Sequence, residues 1–416
     1  MLYNYSISNL TGLQDLKIKK VDSLGNFLLI NAEIERKPHK CPCCGEITNK
    51  IHDYRTQMIK DISSFGNFII ISLRKRRYIC KNCEKRFYEN VSFLPKYHRM
   101  TNRLSAWVIH LLEDVRSFSS VAREVNLSVS TIIRIFDLVG YSKPKSLPEV
   151  IAIDEFKGNT GKEKYQAIIT DPKSGIILDI LPGRKQSHLI QYLKEYSKKE
   201  RDDKVKFFVS DMWKPYRELS EVFFKNCIYL VDKYHYVRQI IWAFERTRKR
   251  IQKKYSKKYR LLFKNSKRIL TKRNSKLNEE QRSQVEALLY VSDELRTAYY
   301  LKESFYELLD CEDKETAKQM MSDWIYDAQS SGIVDYDTCS NTLITWQNGI
   351  LNTFDYPYTN GFTEGCNNKI KILKRNAYGY RNFRRFRNRI LHIFNYKNTN
   401  LKTEKEVAYN HLKNSV

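Results

Sequence analysis

The chain has 416 residues, in which 74 Lys and Arg outnumber 47 Asp and Glu to give a formal charge of +27 at pH 7. That length exceeds one ordinary hydrophobic core, so several domains are expected, and so large a positive excess calls for a polyanionic partner and excludes an acidic or neutral surface. No apolar run reaches transmembrane length, and the opening MLYNYSISNL lacks the basic start and apolar centre of a signal peptide, which predicts a cytoplasmic protein with no membrane partner.

Nine cysteines in such a chain do not make a disulfide framework, and in a reducing compartment paired spacing points to metal. Residues 1–98 carry two such pairs, in Cys41-Pro-Cys43-Cys44-Gly45 and Cys80-Lys-Asn-Cys83, separated by a strand-rich stretch. This zinc-ribbon spacing predicts one structural Zn²⁺ held by Cys41, Cys44, Cys80 and Cys83, with Cys43 left over. Residues 99–143 turn helical. In Ser119 to Arg134, Val121, Ala122 and Val125 form one apolar face, Asn126-Leu127-Ser128 a turn, and Ile132, Ile133 and Phe136 a second face. That pattern is a helix-turn-helix, whose second helix would offer Ser130, Thr131 and Arg134 to a major groove. An arbitrary helical hairpin is the competing reading.

Tyr141 to Glu149, with Pro144 and Pro148, reads as a linker. Residues 148–233 then alternate: strands at Val150–Phe156, Tyr165–Thr170 and Ile176–Leu181, a helix from about Ser187, a strand at Val205–Ser210, a helix, and a strand at Cys227–Val231. Three strands followed by helix, strand, helix, strand is the order of an RNase H-like sheet, in which the first and fourth strands are neighbours. Residues 234–352 read as almost wholly helical, 353–400 as a return to the core on a basic helix, and 401–416 as a tail. The expected fold is thus multidomain α/β: a zinc-ribbon-like domain, a helix-turn-helix, and an RNase H-like core with an all-helical insertion.

Three acids stand out in this layout. Asp154 closes the run VIAID, Asp211 closes VKFFVSD, and Glu364 opens TEGCNNKIKILKR. Two carboxylates at strand ends and one on a helix can hold two Mg²⁺ or Mn²⁺ ions for phosphoryl transfer, although each Asp taken singly also suits a turn or cap. Asp171 and Asp179 are rival ligands on turns or middle strands, and Glu155 should point away from Asp154. On a helix from Thr363, Glu364, Asn367 or Asn368, and Lys371 share a face that Arg375 extends, placing phosphate contacts beside the third acid.

Charge falls in stripes. From Arg246 to Lys276 there are fifteen Lys or Arg residues and no acid, and a second basic run follows Gly365. Lys253, Lys254, Lys257 and Lys258 are expected to track DNA phosphates, against the plainer reading of a solvated helix face. Trp324 and Trp346 are either core residues or platforms for an unpaired base.

The chain resembles the DDE transposases of the ISL-three family of bacterial insertion sequences. The match lies in IAIDEFKG at Asp154, SDMWKPY at Asp211, LVDKYHYVRQ around Asp232 and His235, and TNGFTEGCNNKIKILKRNAYGYRNFRRFRNR around Glu364. The resemblance implies Asp154, Asp211 and Glu364 as the catalytic triad and His235, in the signature Asp232-Lys-Tyr-His235, as a group on the scissile phosphate. It further implies a nucleoid-associated enzyme that binds the terminal inverted repeats of its element, as a homodimer on double-stranded DNA, and joins the cut ends to target DNA. A nuclease or resolvase without strand transfer, and a DNA-binding regulator with structural acids, are the rival functions.

Overall fold

The computed structural model describes Leu13 and residues 16–161 and 163–394. MLYNYSISNL and the tail 401–416 lie outside the described residues. The chain divides into two compact units, Met1–Tyr141 with Ile372–Gly379 and Asn388–Val416, and Ser142–Lys371 with Tyr380–Arg387.

In the first unit, strands β1 (Leu16–Leu24), β2 (Phe27–Ile34), β5 (Ile51–Ser64) and β6 (Asn67–Ile79) form a sheet in the order β1-β2-β6-β5, and β7 (Arg86–Tyr88) adds to β6. Alternate residues Ile30, Ala32 and Ile34 of β2 and Ile69, Ile71 and Leu73 of β6 build its core with Ile59. The short pair β3 (His39–Lys40) and β4 (Ile47–Thr48) frames the first cysteine knuckle. Helices α1 (Asn102–Leu111), α2 (Phe118–Glu124) and α3 (Val129–Phe136) follow. Thr101, Ser117 and Ser128 cap them through their hydroxyls. Asn126 takes a positive φ of 51° between α2 and α3, the turn expected there. Ile132, Ile135 and Phe136 are buried on α3, so Ile135 takes the place given to Ile133, which is half-buried.

In the second unit, β8 (Val150–Thr160), β9 (Glu163–Asp171), β10 (Ile176–Leu181), β11 (Phe207–Ser210) and β12 (Ile228–Val231) form one sheet in the order β10-β9-β8-β11-β12. The β8/β9 and β9/β10 pairs are antiparallel, while β8/β11 and β11/β12 are parallel. Both faces are covered, which is why β8 opens on a continuous apolar run instead of an alternation. Ile151 and Ile153 pack under α4 (Gln186–Lys194) and α6 (Lys214–Phe223), and Val150 and Ala152 pack with Val209, Leu230, Tyr356 and Tyr358 on the other face. Between α4 and β11 the single expected helix is two, because Ser197 caps a second, α5 (Lys198–Lys204).

Residues after β12 are helical: α7 (Lys233–Lys253), α8 (Lys257–Asn265), α9 (Lys267–Thr271), α10 (Glu279–Tyr290), α11 (Asp293–Leu308), α12 (Lys314–Ser330) and α13 (Val334–Asp355), with one 3₁₀ turn at Asn274–Lys276. They share one apolar core. α13 lies directly on β12 at Gly349, where an added Cβ would sit 2.8 Å from Val231 Cγ2. Both tryptophans are core residues. Trp324 is 3% exposed and donates to Leu301 O at 2.7 Å, and Trp346 is 7% exposed. No helix among the described residues is long and apolar enough to cross a membrane. Removing the Trp324 ring leaves a void and takes one hydrogen bond from Leu301 O, so Trp324→Ala should cost about 3–5 kcal/mol in urea unfolding. A loss below about 1 kcal/mol would contradict this packing.

Candidate active site and zinc centre

Strand pairing aligns three carboxylates. Val209 is opposite Ala152 and Leu230, and Asp211, Asp154 and Asp232 each lie two residues further along parallel neighbours. They therefore leave the sheet at one level and on one face, the face of Val150 and Ala152. Asp232 N also donates to Ser210 O at 2.9 Å, which continues the ladder to the rim. Over this face lies α14 (Gly361–Asn376), whose first turn carries Glu364. Thr363 and Thr170 share a hydroxyl hydrogen bond of 2.7 Å, Asn360 Nδ2 donates to Ile153 O at 3.4 Å, and Asn367 Nδ2 donates to Asp154 Oδ2 at 2.8 Å. Glu155 pairs with Arg184 at 2.8 Å, on the opposite face from Asp154.

The cluster is electrostatically uncomfortable as it stands. Burial first, then the charges of Glu155 and Glu364, raises Asp154 to about 6. Burial and then Asp154 raise Asp211 to about 7, and burial and then Glu364 raise Asp232 to about 6. Among the described residues, no lysine or arginine forms an ion pair with Asp154, Asp211 or Glu364. Asp211 Oδ1, Asp232 Oδ2, Asn360 Oδ1 and Asn367 Oδ1 are buried without a hydrogen-bond partner. Such orphaned oxygens beside raised carboxyls are what a bound cation would satisfy. His235 Nε2 is 3.7 Å from Asp232 Oδ2, and burial with the charge of Arg238 lowers the imidazole to about 4, so it is neutral at pH 7.

Asp232, which the sequence marks only as part of the Asp232-Lys-Tyr-His235 signature, joins this set at the rim. It precedes α7 yet makes no side-chain cap bond to it. The signal was present: IYLV closes on an Asp as the other two rim strands do. The rivals are engaged elsewhere. Asp171 accepts from Lys173 N at 3.0 Å in a turn, and Asp179 pairs with Arg387.

The four thiols of Cys41, Cys44, Cys80 and Cys83 lie within 4.8 Å of one another, a closure that the acidic set does not reach among the described residues. Cys41 Sγ is 3.6 Å from Cys83 Sγ, and Cys44 Sγ is 3.5 Å from Cys80 Sγ. A tetrahedron with Zn–S bonds of about 2.3 Å has edges of about 3.8 Å, so the donor set fits zinc. Gly45, at a φ of +80°, closes the first knuckle by donating to Cys41 O at 3.0 Å. Cys43 is exposed and outside the cluster.

The remaining predicted positions are mostly at the surface. Ser130 and Arg134 are exposed on α3, while Thr131 is half-buried with its hydroxyl 2.9 Å from Ser128 Oγ. Lys253, Lys254, Lys257 and Lys258 are exposed, Lys254 with Glu294 at 3.3 Å. Other bases of that run are neutralised, with Arg246 and Arg250 on Asp335 and Arg273 on Asp310. Lys371 and Arg375 are exposed, whereas Asn367 is buried against Asp154.

A family model described as a transposase matches residues 151–390. Residues 89–140 match the helix-turn-helix domain of transposase family ISL3, and residues 37–83 match the zinc-finger of transposases IS204, IS1001, IS1096 and IS1165. The chain belongs to the ISL3 family of transposases. It is 26% identical over 392 residues to the transposase for insertion sequence element IS1001 of Bordetella parapertussis, which covers 92% of this chain and 96% of that protein. An ATP-dependent protease of Lactococcus lactis subsp. lactis is 34% identical over 107 residues, covering 26% of this chain and 33% of that protein. That stretch is too short to hold both Asp154 and Glu364.

Two outcomes follow from the centres. Cys80→Ser should release the ion and strip amide-exchange protection from both knuckles; full zinc content and protection in the variant would contradict the ligand set. The three raised acids bind protons more tightly folded than unfolded, so their contribution is complete below about pH 4 and is lost as pH rises through 6 and 7. In chelator above about pH 8, Asp211→Asn should therefore melt higher than wild type, with the advantage gone near pH 4. Parallel melting curves at every pH would count against this.

Proposed function

We propose that the chain binds the terminal inverted repeats of its element and catalyses DNA strand cleavage and strand transfer. The observation supporting this most strongly is the convergence of Asp154, Asp211 and Glu364 on one face of the sheet, with no lysine or arginine among the described residues paired to them. The strand order, with three antiparallel strands continued by two parallel ones, supports an RNase H-like core, and the helices between β12 and α14 are then its insertion. The domain limits at 98, 143, 233 and 352 belong to this reading.

Asp154, Asp211 and Glu364 would hold two Mg²⁺ or Mn²⁺ ions, which when bound neutralise charge on the attacking and leaving oxygens of an in-line displacement. Asn367 orients Asp154 through its 2.8 Å hydrogen bond, so this residue serves the acid and not the DNA surface. Asp232, at the same rim, completes the ring of negative charge. His235 is neutral and can donate a hydrogen bond to a phosphate oxygen but not a full positive charge. Ser130, Thr131 and Arg134 read a major groove, while Lys253, Lys254, Lys257, Lys258, Lys371 and Arg375 contact backbone. The protein acts as a homodimer on double-stranded DNA, in the bacterial cytoplasm at the nucleoid.

Asp154→Asn, Asp211→Asn and Glu364→Gln each remove a charged ligand at nearly constant shape. Each should lower cleavage of end-bearing plasmid by at least about a thousandfold while changing affinity for the ends less than about threefold. Nicking without joined products in the wild type would favour the nuclease. Binding without nicking would favour the regulator.

A further inference from the structure

Strands β5 and β6 run past the core they cover. On the face that carries Ile59, Ile71 and Leu73 inward, the residues further along are Lys75 and Arg77 on β6, with Arg55 opposite Lys75 and Asp53 opposite Arg77. β7 widens this face, because Tyr88 pairs with Arg77. Arg55 is exposed, and Lys75 and Arg77 are half-buried. The Tyr88 ring lies 5.7 Å from Lys75 Nζ and 5.8 Å from the Arg77 guanidinium.

The cross-strand pair Arg55 and Lys75 works against the sheet, since like charges directly opposite on an antiparallel ladder are destabilising. Nearby acids relieve it only in part, because the Glu89 carboxylate, which favours the Lys75 charge, is itself bonded to Arg76. Asp53 is engaged by Arg77 at 3.4 Å and His52 at 2.9 Å, and Lys75 Nζ turns to the neutral Gln57 Oε1 at 3.4 Å. Burial lowers the Lys75 ammonium from its usual range, the charges of Glu89 and Tyr88 offset part of that, and Arg55 lowers it further. Two nearby cations are matched by acids: Arg76 lies between Glu33 and Glu89, and Arg103 pairs with Asp61. An unmatched pair on an exposed ribbon has a reason if a polyanion neutralises it on binding.

We propose that the part of this hairpin projecting past the core, Arg55, Lys75 and Arg77 with Tyr88 beside them, is a second contact surface for the phosphate backbone of duplex DNA, separate from α3. Its basic side chains would position the duplex and carry no sequence information when they meet phosphate. The surface rests on the reading of the chain as a DNA-binding transposase. It predicts effects of opposite sign on binding and on stability, which a merely structural pair would not give.

The test uses full-length, zinc-loaded protein and a mixed-sequence DNA duplex in the absence of divalent ions, comparing wild type with the double variant Arg55→Gln, Lys75→Gln. The slope of log affinity against log salt should become shallower by about 1.8, at about 0.9 for each lost phosphate contact. Without DNA at low salt, the same variant should melt about 1–3 °C above wild type. High salt should erase that gain by screening. Wild-type protein that fails to bind duplex would overturn the DNA-binding reading together with this surface. Wild-type binding with an unchanged slope in the variant would overturn this surface alone. A variant that melts lower would make Arg55 and Lys75 ordinary structural residues and would likewise overturn it.

Discussion

The constraint on which the second unit turns is the burial of like charge at one edge of a sheet. Parallel pairing of β8 with β11 and of β11 with β12 fixes three aspartates at one level, and α14 places Glu364 over them. Desolvation and mutual repulsion push Asp154, Asp211 and Asp232 upward, and among the described residues no lysine or arginine pairs with them. A fold keeps such an arrangement at a cost to its own stability. The cost is intelligible if divalent cations and the phosphate they attract complete the site.

The scaffold around the acids is built to hold them still. Both faces of the sheet are packed, Gly349 lets α13 approach β12 closely, and three polar side chains of α14 and the residue before it, Asn360, Thr363 and Asn367, fasten to β8 and β9. Rigid supports of this kind suit chemistry that depends on positioning more than on a reactive side chain. The family's helix-turn-helix and zinc finger are the DNA-binding and metal-bearing modules joined to it.

Much of this was legible in the sequence, and the reasons are local. The cysteine pairs announce their centre because a tetrahedral ion needs two tight turns at fixed spacing. Asp154 and Asp211 are visible because each follows a short apolar run, although β8 continues past Asp154 to Thr160 and only Asp211 stands beyond its strand, and β8 beside β11 follows from element order. What escaped was decided by contacts distant in sequence. Nothing in TEGCNNK says that Asn367 will meet Asp154, 213 residues away. Lys254, in a run without acids, finds Glu294, and Arg246 finds Asp335 from another helix. Asp232 stands in a signature whose expected role falls to His235, and its own place at the rim is set by the pairing of β11 with β12.

The most direct test of the account is anomalous diffraction from crystals of the protein soaked in Mn²⁺. Two peaks coordinated by Asp154, Asp211 and Glu364 are predicted, with Asp154 and Asp211 drawn to the ions and Asn367 still on Asp154. Mn²⁺ bound only elsewhere, with the three acids left free of it, would contradict the account.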